Sequence, residues 1–436
     1  MSESGGEVTI VLDDGIQASK LLQHKFNYKP EPIPFSYTFQ LVQSLKYPME
    51  DGEKAPLDED EDEEQGQPQD YGEPEEEPQE WEMPPGEIPN DVIPQEGIEK
   101  NENMEDTPVS HEETPITDEN TDQEWEDCER DELYMEFPSC MATSSEFNCL
   151  IVSHSSRFLL FFHLDSKKYL GKCLLPDKPN CVCVEKDGYK GSEALIVTFY
   201  NHYVAKYDLR EMIRHGTCTS LWAEISGTRI DSSKTSGRGS TDLDKYNWPE
   251  HAVVCYSNKY DHFFGEEKRR GNLVFVCDKW NHRIKVLSSS DGRLLGCFGS
   301  KGRSVTPNEK PEFLEPWGID LDEDDNLLVG EFAGHRIKVI GKSENGEMVL
   351  LKSVVSSRDM YNPEGIAYDR FTKRVVIADN TECRVSVVDL TTGQFMEPFY
   401  GKGGNALQHP SDVCLCSETG ELLVCDQYKD RIQVYK

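Results

Sequence analysis

From about residue 133 onward the chain is built of short runs in which apolar and polar positions alternate, broken by Gly, Asn, Asp and Pro. Period-two alternation bounded by such residues predicts short, half-buried strands joined by hairpins. The alternation itself recurs. Four segments align without gaps: VCDKWNHRIKVL (276–287), VGEFAGHRIKVI (329–340), IADNTECRVSVV (377–388) and VCDQYKDRIQVY (424–435). Each sets an acid at the end of one run and an arginine at the start of the next. The acids Asp278, Glu331, Asp379 and Asp426 are spaced by 53, 48 and 47 residues, and Arg283, Arg336, Arg384 and Arg431 keep those spacings. Upstream, Pro316, Pro363 and Pro410 recur every 47 residues, before WGIDLD, EGIAYD and SDVCLC. Weaker units follow Pro138 and Pro179, and Pro249 opens one interrupted by YDHFFGEEKRRG. That makes six units between about residue 133 and residue 436.

Each unit reads as four antiparallel strands, in the fifth EGIAYD, RVVIAD, CRVSVVDL and FMEPFY. A four-stranded repeat of this length predicts an all-β propeller blade, and six of them a six-bladed ring. The chain ends at DRIQVYK, the third strand of the last blade, so an outer strand must come from elsewhere. The segment 133–137 is expected to supply it by pairing with Ile432 to Tyr435, because an open ring would expose two unpaired edges.

The pattern Pro-x-Gly-Ile followed by Val-x-Asp-x-x-Asn-His-Arg-Ile-x-Val, best seen in GNLVFVCDKWNHRIKVLSSSDGRLLGCFGSKG, resembles the NHL repeat. The resemblance covers about 300 residues, strongly in the last four units and weakly in the first two. It implies a six-bladed propeller with a binding function. Many such proteins carry a RING, B-box and coiled coil before the propeller. No Cys/His zinc pattern or heptad repeat stands upstream here, so the resemblance implies binding rather than ubiquitin transfer.

Charge divides the chain. The 436 residues carry a net charge of −37, yet residues 1–130 hold 7 basic and 38 acidic residues, a net of −31, leaving −6 for 131–436. Three regions are expected: a weakly structured segment 1–50, an acidic disordered region 51–130, and a propeller over 131–436. DEDEDEEQGQPQD and GEPEEEPQEWEMPPGEIP lack the aliphatics needed to offset the entropy of ordering. In 1–50, Val8, Ile10 and Leu12, and then Phe35, Tyr37, Phe39, Leu41 and Leu45, form short apolar patches suited to docking. Trp81 and Trp125 sit among acids as candidate anchors, and Thr107-Pro and Thr114-Pro are weak proline-directed phosphorylation signals. Whole-chain binding to nucleic acid is not expected, DNA least of all. No basic n-region with an apolar stretch opens the chain and no run of about 18 apolar residues occurs, so neither secretion nor a membrane is expected. The 14 cysteines, none in a CxxC pair, read as reduced cytoplasmic thiols used in packing. Cys181/Cys183 and Cys414/Cys416 are read the same way.

The acid–arginine ladder recurs too regularly for catalysis and reads as structural. Asp320, Asp322, Asp324, Asn326 and Glu331 have EF-hand-like spacing, but Asp325 stands where that loop needs glycine, so the segment reads as a hairpin. No phosphate loop, nucleophile elbow, HExxH or dinucleotide motif occurs; no enzyme, cofactor or metal site is expected. What remains is a surface. In a blade, the turn between strands two and three and the link to the next blade emerge on one side. That side collects Phe199, Tyr200, His202, Lys279, Trp280, His282, Lys301, Arg303, Phe332, His335, Arg358, Tyr361, Lys402, Asn405, Tyr428 and Lys429. Interleaved aromatic and basic residues suit a protein hot spot and equally suit single-stranded RNA. The leading expectation is a protein-interaction scaffold. The alternatives are a single-stranded RNA-binding regulator and a substrate-recognition partner of a separate ubiquitin ligase. If RNA is the ligand, the acidic region is expected to compete with it for the basic face.

Overall fold

The computed structural model describes residues 35, 39–45, 135–224, 245–265, 271–355 and 360–436. All of them belong to one compact unit. The expectations for the acidic region 51–130, for Val8, Ile10, Leu12 and Tyr37, for Trp81 and Trp125, for the Thr-Pro pairs and for Arg358 lie outside the described residues.

The alternating runs fold into six antiparallel sheets, the blades of an all-β propeller. Strand β1 (Leu41–Leu45) precedes the first blade in sequence. Blade one is β2 (Cys140–Ser144), β3 (Cys149–Ser153), β4 (Phe158–His163) and β5 (Tyr169–Leu174). Blade two is β6 (Pro179–Tyr189), β7 (Ser192–Phe199), β8 (Tyr203–Asp208) and β9 (Ser220–Glu224), with a helix α1 (Leu209–His215) before its outer strand. Blade three is β10 (Pro249–Cys255), β11 (Leu273–Asp278), β12 (Arg283–Ser288) and β13 (Leu294–Phe298). Blade four is β14 (Pro316–Leu321), β15 (Leu327–Glu331), β16 (Arg336–Lys342) and β17 (Met348–Val355). Blade five is β18 (Pro363–Asp369), β19 (Arg374–Asp379) and β20 (Arg384–Asp389), and blade six has β21 (Pro410–Cys416), β22 (Glu421–Asp426) and β23 (Arg431–Tyr435). The inner strands β2, β6, β10, β14, β18 and β21 each contact the next, and β21 returns to β2, so the ring is closed.

The core lies between blades. Six hydrophobic clusters fill the six seams, one each. Ile196 and Val204 of blade two, for example, pack on Val254, Val274 and Val276 of blade three, and Leu45 and Val434 of blade six pack on Leu150 and Phe162 of blade one. Each sheet is therefore apolar on both faces, which explains the near-continuous burial of its middle strands.

Two expectations are corrected. The strand that completes blade six is β1, which pairs antiparallel with β23, Leu41 opposite Tyr435 and Leu45 opposite Ile432. Residues 135–137 are not a strand. They cross the seam between blades six and one as irregular chain, with the Phe137 N–H donating to Asp430 Oδ1 at 2.9 Å and the Glu136 N–H to His154 Nε2 at 2.7 Å. β1 wins that edge because it and the residues before it fill the seams on both sides of blade six. Leu45 is fully buried, Phe39 stacks on Phe399 at 4.9 Å and Phe35 is buried beside it. Second, FMEPFY is not a full fourth strand of blade five. It touches β20 only through isolated bridges at Phe395 and Phe399, and the register slips by one residue between them.

Candidate functional site: the turn-bearing face and the channel

The ladder acids and arginines face each other across the turn between the second and third strands. Arg283 Nε lies 2.8 Å from Asp278 Oδ2; the same contact is 2.7 Å for Arg384–Asp379 and for Arg431–Asp426, and 3.2 Å for Arg336–Glu331. Each acid also accepts a backbone N–H from the link entering its blade. Asn247 donates to Asp278 at 2.7 Å, Leu314 to Glu331 at 2.6 Å, Asn362 to Asp379 at 2.8 Å and Gln408 to Asp426 at 2.6 Å. One buried carboxylate thus fixes a hairpin turn and a linker together. Burial raises the carboxyls of Asp278 and Glu331 above their usual range, against the charges of their cationic partners.

The same turns hold His202, His282 and His335 in the left-handed region, at φ of +64°, +54° and +52°. His202 Nδ1 accepts from the Trp248 N–H at 2.8 Å and His282 Nδ1 from the Glu315 N–H at 3.1 Å, while His335 Nδ1 meets the Tyr361 carbonyl. The three histidines therefore latch one blade to the next. Burial lowers the His202 and His282 imidazoles below their usual range.

Of the residues read as a basic face, several are withdrawn. Phe199 is a fully buried core residue stacked on Tyr203. Lys279 is only 6% exposed. Its ammonium lies 3.5 Å from the Trp317 ring centre, 5.1 Å from those of Trp280 and Phe332, and 3.8 Å from Glu250. A cation boxed in this way serves the seam and not an external phosphate. Tyr200 is half-buried, with Lys178 over its ring and Trp248 edge-on. Phe332 is half-buried against Trp317. Trp280, Tyr361 and Tyr428 remain exposed, joined by Phe137, which meets Tyr428 edge-on at 5.6 Å. Lys301, Arg303, Lys402, Asn405 and Lys429 are exposed as well. The described face thus keeps three of its aromatics, with Phe137 as a fourth, beside four exposed cations. The hairpin from Asp320 to Glu331 turns its oxygens on its own backbone, Asp322 Oδ1 accepting from the Asp324 and Asn326 N–H groups.

The channel beneath holds a constellation that a motif scan does not reveal. The inner strands of blades two to six open with a proline, and that of blade one follows Pro138. The slot two residues after the proline carries Cys140, Cys181, His251, Gly318, Gly365 and Asp412 in blades one to six. In blades two to six the pairing slips just after the proline, and such bulges re-aim side chains. Glycine in two slots is a matter of room, since a Cβ on Gly365 would stand 2.2 Å from Asp412 Oδ1 and one on Gly318 2.2 Å from the Glu364 carbonyl oxygen. The other four side chains line a cavity of about 260 Å³ along the axis. The ligand atoms of Cys140, Cys181 and His251 lie within 4.8 Å of one another. His251 Nδ1 is 4.0 Å from Asp412 Oδ1, and Asp412 Oδ2 accepts the Met141 N–H at 2.8 Å. Burial opposes ionisation of the Cys181 thiol, but its hydrogen bond with Cys140 and the His251 charge bring it down to about 5. Burial also opposes a charge on His251, which Cys181 and Asp412 nonetheless lift to about 10. Burial and the same hydrogen bond push the Cys140 thiol well up, so the two thiols form a pair with opposite shifts, unlike the packing thiol Cys277, which burial pushes well up. The recurring proline was the signal that could have exposed this slot.

No family model and no curated protein matches the chain. Among solved structures, the chain is similar to the beta-propeller domain of Cps50 (Swd1) from Myceliophteria thermophila, at 10% sequence identity and a TM-score of 0.45, covering 68% of this chain and 82% of that one. Among the described residues no helix is long and apolar enough to cross a membrane. The propeller architecture stands on the strand pairing and the closed ring of inner strands.

Proposed function

We propose that the protein is a non-enzymatic NHL-type propeller that works as a cytoplasmic protein-interaction scaffold, docking a partner on the turn-bearing face. One observation carries this reading. Trp280, Tyr361 and Tyr428 are exposed on that face, at the turns of blades three and six and the link between blades four and five, while Lys279 is withdrawn into the seam. Large aromatics held on rigid turns are the residues that dominate protein interfaces, and their rigidity limits the entropy lost on binding. The free thiols of the described residues suit a reducing compartment.

A second reading, single-stranded RNA, is favoured by the exposed Lys301, Arg303, Lys402 and Lys429 on the same side. The two separate in a crosslinked pull-down of the full chain with and without nuclease, repeated with the triple variant Trp280→Ala, Tyr361→Ala, Tyr428→Ala. The scaffold reading expects proteins that survive nuclease and that the variant loses, each aromatic contributing about tenfold or more in affinity. Material that disappears with nuclease, or proteins captured equally by the variant, overturns it. A ubiquitin ligase among the captured proteins would favour a substrate-recognition role beside that ligase.

A further inference from the structure

The slot after the inner-strand proline departs from glycine in four blades, and each departure is a metal-ligating type. These four blades are consecutive around the ring, in the order six, one, two, three. The side chains converge on the axis instead of scattering. Cys140, Cys181, His251 and Asp412 are 2%, 3%, 7% and 3% exposed, so they form an interior polar cluster and not a solvated rim. Ring packing alone asks for nothing of this kind. Polar groups left buried are costly unless they are paired with one another or held by an ion.

We propose that this slot binds one zinc ion, with the Cys140 and Cys181 thiolates and a His251 ring nitrogen as ligands and the Asp412 carboxylate as the fourth. Two thiolates with an imidazole and a carboxylate suit zinc over calcium or magnesium, which take oxygen ligands alone. In a tetrahedral zinc site, with zinc–sulfur about 2.3 Å and zinc–nitrogen about 2.0–2.1 Å, neighbouring ligand atoms stand about 3.3–3.8 Å apart. The observed separations, within 4.8 Å for the first three and 4.0 Å from His251 Nδ1 to Asp412 Oδ1, ask for side-chain adjustments on the ångström scale. The ligands are also oriented from outside. The Val182 N–H donates to Cys140 Sγ at 3.4 Å and the Met141 N–H to Asp412 Oδ2 at 2.8 Å, and such partners hold a site in shape. Binding releases any proton held on the two thiols to solvent and involves no change of oxidation state. The ion would staple blades one, two, three and six across the channel, including the seam between the first and last blades.

The test uses the full chain, purified under reducing conditions, stripped with a chelator and titrated with Zn²⁺ alone and separately with Co²⁺ alone. One zinc per chain is expected, with the intense visible absorption of tetrahedral cobalt and a cobalt–thiolate band in the near ultraviolet. Zinc should raise Tm by several degrees, because it binds the folded state only. Cys181→Ser and His251→Gln should each weaken binding at least about 100-fold, whereas Cys297→Ser, on the outer strand of blade three, should bind as the wild type does. Since a ligand variant can fail to fold, the cobalt spectrum of the wild-type protein stands as evidence without any variant. The proposal is overturned by folded protein that takes up no stoichiometric zinc, by cobalt absorption of octahedral type, by full binding in Cys181→Ser, or by intact mass and peptide mapping that find a Cys140–Cys181 disulfide in the fresh protein.

Discussion

At the scale of single residues, the chain uses one position for several tasks. Asp379 is the clearest case. It pairs with Arg384 and accepts the Tyr361 and Asn362 N–H groups, so it governs a turn and a linker at once. The ladder is legible in sequence because the same geometry is rebuilt in each of the last four blades. The role of the neighbouring histidines was not. Their spacing placed them on an outer face, but the left-handed turn carries each ring back onto the next blade's linker. Lys279 departs from the expectation for a related reason. Its neighbours in sequence are turn residues, whereas its neighbours in space are the Trp317 and Phe332 rings of blade four. The latches carry a pH dependence. With folded-state values below the ordinary 6.5, His202 and His282 bind fewer protons folded than unfolded. Their contribution is complete above that value and declines as pH falls through it and on through the folded-state values. This lowers Tm between about pH 7.5 and about pH 5.5 relative to a protein without the two imidazoles, set against Asp278, Glu331 and His251, whose raised values act in the opposite direction. In His202→Asn/His282→Asn the drop should be smaller, since asparagine tolerates the left-handed turn and accepts the same N–H without titrating. An equal drop in the variant would remove the histidines as its cause.

At the scale of elements, strand identity followed from alternation, but strand partners did not. Every blade's inner three strands are consecutive in sequence and pair by hairpins, so local pattern is enough to place them. The closing strand is a long-range choice between two short apolar segments. Sequence proximity favoured 133–137, and packing favours Leu41–Leu45, whose Leu45 enters the seam between blades six and one. Leu45→Ala should cost about 2–5 kcal/mol, the range for a fully buried leucine, read as a fall in the denaturant midpoint. Removing residues 1–46 should bare the edge of β23 and drive self-association, measured by sedimentation. A monomeric truncation of undiminished stability would show that β1 is dispensable. The outer strand of blade five teaches a smaller lesson. Alternation in FMEPFY is real, yet a register slip within it leaves two bridges in place of a strand.

At the scale of the whole molecule, the charge of −37 describes the acidic segment far more than the ring, whose span from 131 carries −6. Protein capture through an aromatic rim on such a ring should therefore respond weakly to salt. A loss of roughly 10³-fold or more between about 50 and about 200 mM salt would instead point to phosphate contacts and to RNA. The sequence by itself determined the blade count, the hairpins and the ladder, because the first two follow from local periodicity repeated six times and the ladder from a pair repeated in the last four units. Only the tertiary structure decided which segment closes the ring, which cations stay exposed, and that Cys140, Cys181, His251 and Asp412 meet on one axis. Those residues lie as far as 272 positions apart in the chain. They come together because ring closure sets equivalent positions of different blades side by side, a relation that exists in the closed ring and not along the chain.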